Sequence, residues 1–135
     1  MDTEVLIKTV MDCAHDVHRV MKPGLLELLY KRALAYELDC KGLNYELEKE
    51  IPAVYKGKLI GSFKADIVVE GKLILELKAT TELTDANRCQ LVTYLTLSGI
   101  EDGLLINFGT SLLQIERKFR TYRPTKSILN LKDRN

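Results

Sequence analysis

The chain has 135 residues, of which 46% are hydrophobic and 29% are charged, and its formal net charge is +1. This length accommodates one compact domain, and the composition is that of a globular protein rather than a disordered or fibrous one. No apolar run approaches the roughly 20 residues that cross a bilayer, so we expect no membrane partner. The acidic start "MDTEVLIKTV" also lacks the basic region of a secretory signal.

The cysteines point to a reducing compartment. Cys13, Cys40 and Cys89 are odd in number and too widely spaced for a CxxC pair. This pattern argues against a disulfide framework or a zinc site, and it predicts a cytoplasmic protein. Two of the three cysteines fall within apolar helical patterns, which predicts that they are small core residues.

Two helices are predicted at the start of the chain. Apolar residues recur at three- and four-residue spacings over residues 3–21, which predicts an amphipathic helix ended by "KPG". A second helix is predicted from about Leu25 to Lys41, with Gly42 as its stop. The expected core stripe of this second helix is Leu26, Leu29, Ala33, Leu34 and Leu38.

Strands are predicted from Leu43 onwards, where the apolar period changes to alternation. The stretches "LNYELEKEIPAVY", "LIGSFKADIVVE" and "KLILELKA" predict an antiparallel meander, joined by turns at residues 56–58 and 70–71. A third helix, with Thr84 as its N-cap, is predicted to run to about Ser98.

Two further strands complete the predicted sheet. "GLLINFG" at 103–109 is too apolar for an exposed strand and is expected to be central, and "SLLQIERKFR" alternates. The order helix, helix, three strands, helix, two strands predicts a single α/β domain over residues 1–120. We expect a mixed central sheet of about five strands flanked by helices, followed by a basic, loosely ordered tail at 121–135.

The C-terminal part of the chain is basic. Residues 116–135 contain seven basic residues and two acidic ones, which favours either a polyanionic partner or a solvated tail. The run "ERKFRTYR" interleaves aromatic and basic side chains, a pattern that fits contacts to a nucleic-acid backbone. The candidate contacts in this run are Arg117, Lys118 and Arg120.

Two opposite charges lie within the predicted third strand, in "VVEGKLILELKAT" at 68–80. Glu76 and Lys78 share one face of this strand because side chains alternate. Antiparallel pairing across the turn at 70–71 is expected to bring Asp66 beside Glu76. Two adjacent carboxylates repel each other, and Mg²⁺ characteristically binds one or two carboxylates together with water and phosphate oxygens. The spacing therefore predicts a metal site with a lysine next to it, and the alternative is a surface ion-pair network.

These residues resemble a known signature. Asp66 followed by Glu76-Leu77-Lys78 resembles the D…(D/E)xK signature of the PD-(D/E)xK nuclease superfamily, although Ala65 stands where that signature has proline. "QLVTY", from Gln90 to Tyr94, is similar to the QxxxY motif of the superfamily's exonuclease-type branch. "GLLELLY" at 24–30 matches GxxExxY. On these motifs the chain is identified as a member of the GxxExxY family.

The resemblance implies a restriction-endonuclease-like core and a set of site residues. It implies that Asp66, Glu76 and the Leu77 carbonyl hold Mg²⁺ or Mn²⁺, with Glu27 as an accessory acid. It also implies that Lys78 serves the attacking water, and that Gln90 and Tyr94 position the substrate or steady the lysine. Other interpretations stay open, because Glu27 is also spaced to pair with Lys31, and Gln90 and Tyr94 are also compatible with ordinary helix packing.

The leading hypothesis is a metal-dependent nuclease that hydrolyses phosphodiester bonds in nucleic acid, with DNA as the expected substrate. Lys64, on the same strand as Asp66, is a further candidate phosphate contact or a solvated lysine. One alternative is a catalytically silent nucleic-acid-binding or assembly module of the same fold, and another is a purely structural interaction protein. The small body lacks an added recognition domain, so a homodimer or a larger complex is expected.

Overall fold

The computed structural model describes residues 1–120, so the basic tail predicted at 121–135 lies outside the described residues. The elements follow one another in the predicted order. They are α1 (Thr3–Met21), α2 (Glu27–Cys40), β1 (Tyr45–Tyr55), β2 (Lys58–Val69), β3 (Leu73–Lys78), α3 (Asp85–Ser98), β4 (Asp102–Asn107) and β5 (Gln114–Phe119). Within this part of the chain, no helix combines the length and apolarity needed to cross a membrane.

The five strands form one mixed sheet in the order β1-β2-β3-β4-β5. Strands β1, β2 and β3 are antiparallel neighbours, β4 runs parallel to β3, and β5 is antiparallel to β4. The parallel pair needs a crossover connection, and α3 provides it. Thr84 caps α3 by accepting a hydrogen bond from the Asn87 amide, and Gly99 ends the helix in a left-handed conformation.

Both faces of the sheet are covered by helices. Leu75 and Leu77 pack into the core beneath α1 and α2, whereas Ile74 packs with Leu91 and Leu95 of α3 on the opposite face. Every residue of β4 is buried, as predicted for a central strand. Because β3 lies in the middle of the sheet, any polar side chain on it is enclosed by neighbouring strands and helices.

The core stripe predicted for α2 is partly wrong. Leu34 and Leu38 are fully buried, but Leu26 is 74% exposed and Leu29 is 41% exposed. The helix begins at Glu27 rather than at Leu25, and Tyr30 is buried in its first turn instead of the leucines. The reason is tertiary, since the Tyr30 ring stacks on Phe108 with centroids 4.7 Å apart.

The hydroxyl of Tyr30 also fixes the connection between α1 and α2. It donates a hydrogen bond to the Lys22 carbonyl and accepts one from the Leu25 amide. The chain entering α2 is therefore tied to the tyrosine that anchors the helix on the sheet. This arrangement determines where Glu27, the first residue of α2, lies.

The prediction of two core cysteines is wrong. Cys13 is fully buried on α1, and burial raises the pKa of its thiol to about 11. Cys40 and Cys89 are exposed, because Cys40 is the last residue of α2 and Cys89 lies on the outer side of α3. The apolar helical pattern around a cysteine therefore did not distinguish its buried face from its solvent face.

Candidate active site

An acidic pair lies where β2 and β3 separate. Regular pairing of the two strands extends from Val69 opposite Leu73 to Ile67 opposite Leu75. Beyond that point, side chains take over the hydrogen bonds of the ladder. The Asp66 amide donates to Glu76 Oε1 at 2.9 Å, and the Leu77 amide donates to Asp66 Oδ2 at 2.8 Å. Each carboxylate thus accepts a hydrogen bond from the strand that carries the other, which holds the two acids side by side.

Glu76 is buried in an environment that disfavours its charge. It is only 4% exposed, and burial, followed by the negative charge of Asp66, raises the pKa of Glu76 to about 8. The hydrogen bond from the Asp66 amide and the charge of Lys78 act in the opposite direction without outweighing burial. The charged form of Glu76 is therefore one that a further cation would stabilise.

Lys31 is a member of this cluster that the sequence interpretation did not assign to it. Its Nζ lies 3.2 Å from Asp66 Oδ1 and 3.3 Å from Glu48 Oε2, and its side chain is 10% exposed. Burial disfavours its charge, but Asp66 and then Glu48 outweigh burial and raise the pKa of the ammonium. Lys31 lies three residues before Leu34, which is on the buried side of α2. This helical spacing could have predicted that Lys31 faces the sheet.

Glu27 and Lys78 lie within electrostatic range of the acidic pair. Glu27 is half-buried at the start of α2, and burial, followed by the charge of Asp66, raises its pKa, while Lys78 and Lys31 counteract this. Lys78 is half-buried at the end of β3. The structure thus brings the predicted helical acid and the predicted lysine to the same end of the site. Lys31 does not form the alternative salt bridge with Glu27, because its ion-pair partners are Asp66 and Glu48.

Helix α3 contributes the opposite side of the site. Tyr94 is half-buried, and burial, followed by the charges of Glu76 and Asp66, raises the pKa of its hydroxyl. Its ring stacks on Phe63 of β2, with centroids 4.0 Å apart. Gln90, one helical turn earlier, is exposed. Phe63 is a second residue that sequence reasoning missed, because its partner is 31 positions away in the printed sequence.

The chain that follows β3 is held by the end of β4. Asn107 is fully buried, and its Oδ1 accepts hydrogen bonds from the amides of Thr80 and Gly109. Its Nδ2 donates to the Thr80 carbonyl and to Gln114 Oε1. The Phe108 amide donates to the Lys78 carbonyl at 2.8 Å. These bonds fix the backbone at and just after Lys78, which limits where that side chain can reach.

The basic residues predicted to contact nucleic acid occupy different parts of the fold. Lys64 is exposed on β2, two residues before Asp66. Arg117, Lys118 and Arg120 lie at the other edge of the sheet, two strands away from β3. Each of these three is engaged in an ion pair: Arg117 with Glu4 and Asp102, Lys118 with Glu116, and Arg120 with Glu101. Their contact with phosphate stays a prediction.

The site offers a small set of oxygen donors to a divalent metal. Among residues 1–120, no group of three or more histidine, cysteine, aspartate or glutamate side chains forms a complete metal cage. The site does offer two adjacent carboxylates, Asp66 and Glu76. The Leu77 carbonyl faces the same gap, because the amide and carbonyl of one strand residue point to the same side. A site with a few oxygen donors and without thiol or imidazole ligands suits Mg²⁺ or Mn²⁺, because these ions prefer oxygen and keep several bound waters.

A sequence profile of the PD-(D/E)XK nuclease superfamily matches residues 4–119. The chain belongs to this superfamily. A solved structure titled "Crystal structure of SSO0001" is similar at 18% sequence identity, with a TM-score of 0.55. The alignment covers 78% of this chain and 55% of that one, so this chain spans about half the length of that protein. A search of curated proteins finds no match.

Membership of the PD-(D/E)XK superfamily agrees with the observed fold, and the predicted restriction-endonuclease-like mixed sheet is confirmed. The likeness to the solved structure supports the fold alone. The superfamily associates this fold with nuclease-type function, a nucleic-acid substrate and divalent metal. The narrower assignment to the GxxExxY family stays a prediction, as do the catalytic roles of Asp66, Glu76, Lys78, Gln90 and Tyr94.

Proposed function

We propose that this protein is a metal-dependent nuclease of the GxxExxY family that hydrolyses phosphodiester bonds in DNA. The observation that carries the proposal is the pair of Asp66 and Glu76, a half-buried acid on β2 and a buried acid on β3 that are held side by side by hydrogen bonds. A buried carboxyl with a raised pKa beside a second acid is destabilising, and such pairs are typical of functional sites. In this superfamily, that function is the binding of a divalent metal at a scissile phosphate.

Asp66, Glu76 and the Leu77 carbonyl would hold Mg²⁺ or Mn²⁺. When bound, the ion supplies Lewis acidity at the phosphate and lowers the pKa of a water molecule. Lys78 orients the attacking water and offers its Nζ to the negative charge that develops on the phosphate. Glu27 would add a carboxylate from the side of α2, either as a ligand of the ion or as a hydrogen-bond acceptor for water bound to it.

The residues of α3 would position the substrate. The exposed Gln90 side chain presents amide donors and an acceptor to the sugar-phosphate backbone. The Tyr94 hydroxyl stays protonated because burial and the neighbouring acids raise its pKa, and it therefore acts as a hydrogen-bond donor. Lys64, exposed beside the acids on β2, supplies a cation for the next phosphate along the strand.

The test is a cleavage assay on labelled single-stranded and duplex DNA, and on the matching RNA, with Mg²⁺ or Mn²⁺ and with chelator. We expect metal-dependent cleavage that Asp66→Asn and Glu76→Gln abolish and that Lys78→Gln lowers by roughly a hundredfold or more. The exposed Glu82→Gln serves as the matched charge control and keeps wild-type activity. Binding of DNA by the wild type without cleavage under any of these conditions would instead favour the silent binding module.

A further inference from the structure

The hairpin of β1 and β2 extends beyond the part of the sheet that the helices cover. We define its outer part, residues 51–65, as the arm. Its base rests on the domain, because Ile51 is buried against α3 and Phe63 stacks on Tyr94. Its tip is a two-residue turn in which Lys56 and Gly57 both have positive φ, +49° and +79°. This is the turn geometry that matches the twist of a regular hairpin. The arm is therefore a two-stranded ribbon, with one β-bulge where the pairing shifts between Ala53 and Val54.

Large apolar side chains cluster at the exposed end of the arm. Val54, Tyr55, Leu59 and Ile60 are between 52% and 65% exposed. Val54 lies opposite Leu59 on one face of the ribbon, and Tyr55 lies opposite Lys58 on the other face. The exposed side chains are therefore neighbours at the tip rather than scattered along the strands. Single exposed apolar residues are ordinary, but a cluster of this kind marks an interaction surface.

The charge of the arm identifies the kind of partner. Residues 51–65 contain Lys56, Lys58 and Lys64 and no aspartate or glutamate. Of the two acids that flank the arm, Glu50 accepts a hydrogen bond from the Ser62 hydroxyl and Asp66 forms an ion pair with Lys31. A second copy of the chain docked on the same surface would bring the lysines of both arms together, which like-charge repulsion disfavours. A polyanion that also offers apolar faces, namely nucleic acid, complements both the lysines and the exposed side chains.

The arm is physically continuous with the candidate active site. Strand β2 extends from Lys58 to Asp66 with one β-bulge near Ile60, and these eight residues span about 26 Å at 3.3 Å per residue. Lys64 lies between them. We propose that the arm is a nucleic-acid-binding element in which Lys56 and Lys58 contact the substrate backbone while Tyr55 packs on a base or sugar. This inference rests on the proposed function for its substrate class, and it locates these contacts about eight base-pair steps from the scissile bond.

The test measures binding of a fluorescent 24-base-pair DNA and its single strand to the Glu76→Gln protein, which prevents cleavage. Addition of Lys56→Gln and Lys58→Gln is expected to weaken binding at least about tenfold at 0.1 M salt. It is also expected to reduce the slope of log K against log salt by about two. Addition of Tyr55→Ala is expected to weaken binding without changing that slope, because stacking releases no counterions.

The matched control is the double variant Lys8→Gln with Lys41→Gln. It also removes two positive charges, but from exposed positions in the helical layer. Equal affinities and slopes for the arm and control variants would overturn the proposal. A loss of dimer in sedimentation, with DNA binding unchanged, would overturn it in favour of a second copy as the occupant. Thermal melting of each variant verifies that the exposed substitutions leave the fold intact.

The outcome is separable from that of the proposed function. If the wild-type protein cleaves DNA but the arm variants bind DNA like the control, the arm proposal is wrong and the proposed nuclease function is supported. If the wild-type protein does not cleave DNA but loss of the arm lysines still weakens DNA binding, the proposed nuclease function is wrong and the arm proposal is supported. If both hold, the arm substitutions in the otherwise wild-type enzyme raise KM and leave kcat close to its original value.

Discussion

Glu76 shows at the scale of one residue how this fold accommodates an acid in its central sheet. The side chain lies between two core leucines along the strand. Among residues 1–120, the one hydrogen bond that its carboxylate accepts comes from the Asp66 amide. One such bond does not offset the loss of hydration, so the pKa of the carboxyl stays high. The site thus stores an electrostatic cost that is relieved by protonation, by substitution or by a bound cation.

The first prediction concerns the pH dependence of stability in the metal-free protein. The pKa of Glu76 rises from the ordinary 4.5 to about 8 on folding, so between these pH values the folded state retains a proton that the unfolded state releases. The contribution of Glu76 to stability therefore falls as pH rises through this window, by an amount on the order of a few kcal/mol. Glu76→Gln removes the carboxyl and the titration.

This prediction is checked by urea unfolding with chelator between pH 4 and 9. The free energy of unfolding of Glu76→Gln is expected to exceed that of the wild type above pH 8, and the difference is expected to shrink towards pH 4.5. Glu82→Gln, an exposed change of the same chemistry, is expected to stay close to the wild type throughout. A stability difference that is constant with pH would contradict the burial of a titrating Glu76.

The second prediction concerns Lys31, which bridges Asp66 and Glu48 from a buried position on α2. Lys31→Gln removes the ammonium beside Asp66, and we expect the metal-free protein to lose about 1–3 kcal/mol of stability. Lys8→Gln is the control, because its ion pair with Asp12 is exposed and is worth at most about 0.5 kcal/mol. Chemical denaturation of both variants measures the difference, and equal losses would mean that Lys31 is not a buried partner of Asp66.

At the scale of elements, the site depends on how neighbouring strand ends approach each other. β2 and β3 separate just where the two acids begin, while β3 and β4 stay paired up to Lys78 opposite Asn107. The turn after β4 then passes so close to the chain after β3 that only glycine fits at position 109. A Cβ there would lie 2.3 Å from the Thr80 carbonyl oxygen and 2.4 Å from the Thr80 nitrogen.

The third prediction follows from this contact. Gly109→Ala forces the backbone at Thr80 to move, and we expect a loss of about 2–4 kcal/mol in unfolding free energy together with weaker cleavage. Gly61→Ala on β2 is the matched control, because a Cβ there meets no atom within 4 Å. We expect this control to be neutral or slightly stabilising. Differential scanning calorimetry gives both values, and comparable melting temperatures for the two variants would contradict the tight approach.

At the scale of the whole molecule, the site lies where three layers meet. Helix α2 brings Lys31 and Glu27 from one face of the sheet, α3 brings Tyr94 from the other, and the splayed strands between them carry the acids. A cation bound at this junction would interact with groups from every layer. Its binding free energy would therefore add to the stability of the domain as a unit.

The fourth prediction is that Mg²⁺ or Mn²⁺ raises the melting temperature of the domain, by an amount that grows with the logarithm of the free metal concentration above Kd. At a free metal concentration of 100 times Kd, the gain in unfolding free energy is about 2.7 kcal/mol. Asp66→Asn is expected to abolish the gain, whereas Asp12→Asn, an exposed acid on α1, is expected to retain it. Thermal shift in a titration of MnCl₂ provides the measurement, and an undiminished shift in Asp66→Asn would exclude this pair as the metal site.

Much of the fold could be read from local patterns. Alternation and helical spacing predicted eight elements in the correct order, and the separation of Asp66 from Glu76 across one tight turn predicted that the acids lie together. These features depend on residues fewer than about a dozen positions apart, for which backbone geometry and side-chain periodicity are strong constraints. Asp66, Glu76 and Lys78 belong to this local class, whereas Glu27 and Tyr94 come near the acids only through the packing of α2 and α3.

The sequence by itself therefore determined the order of elements, the mixed sheet and the acidic pair with its lysine. The tertiary structure alone decided that Lys31 joins the pair, that Leu26 faces solvent, and that Arg117 binds Glu4, which is 113 positions away. The physical reason is that periodicity assigns a side chain to a face but not to a partner. Partners are chosen only when the assembled sheet and helices bring distant groups within a few ångströms of each other.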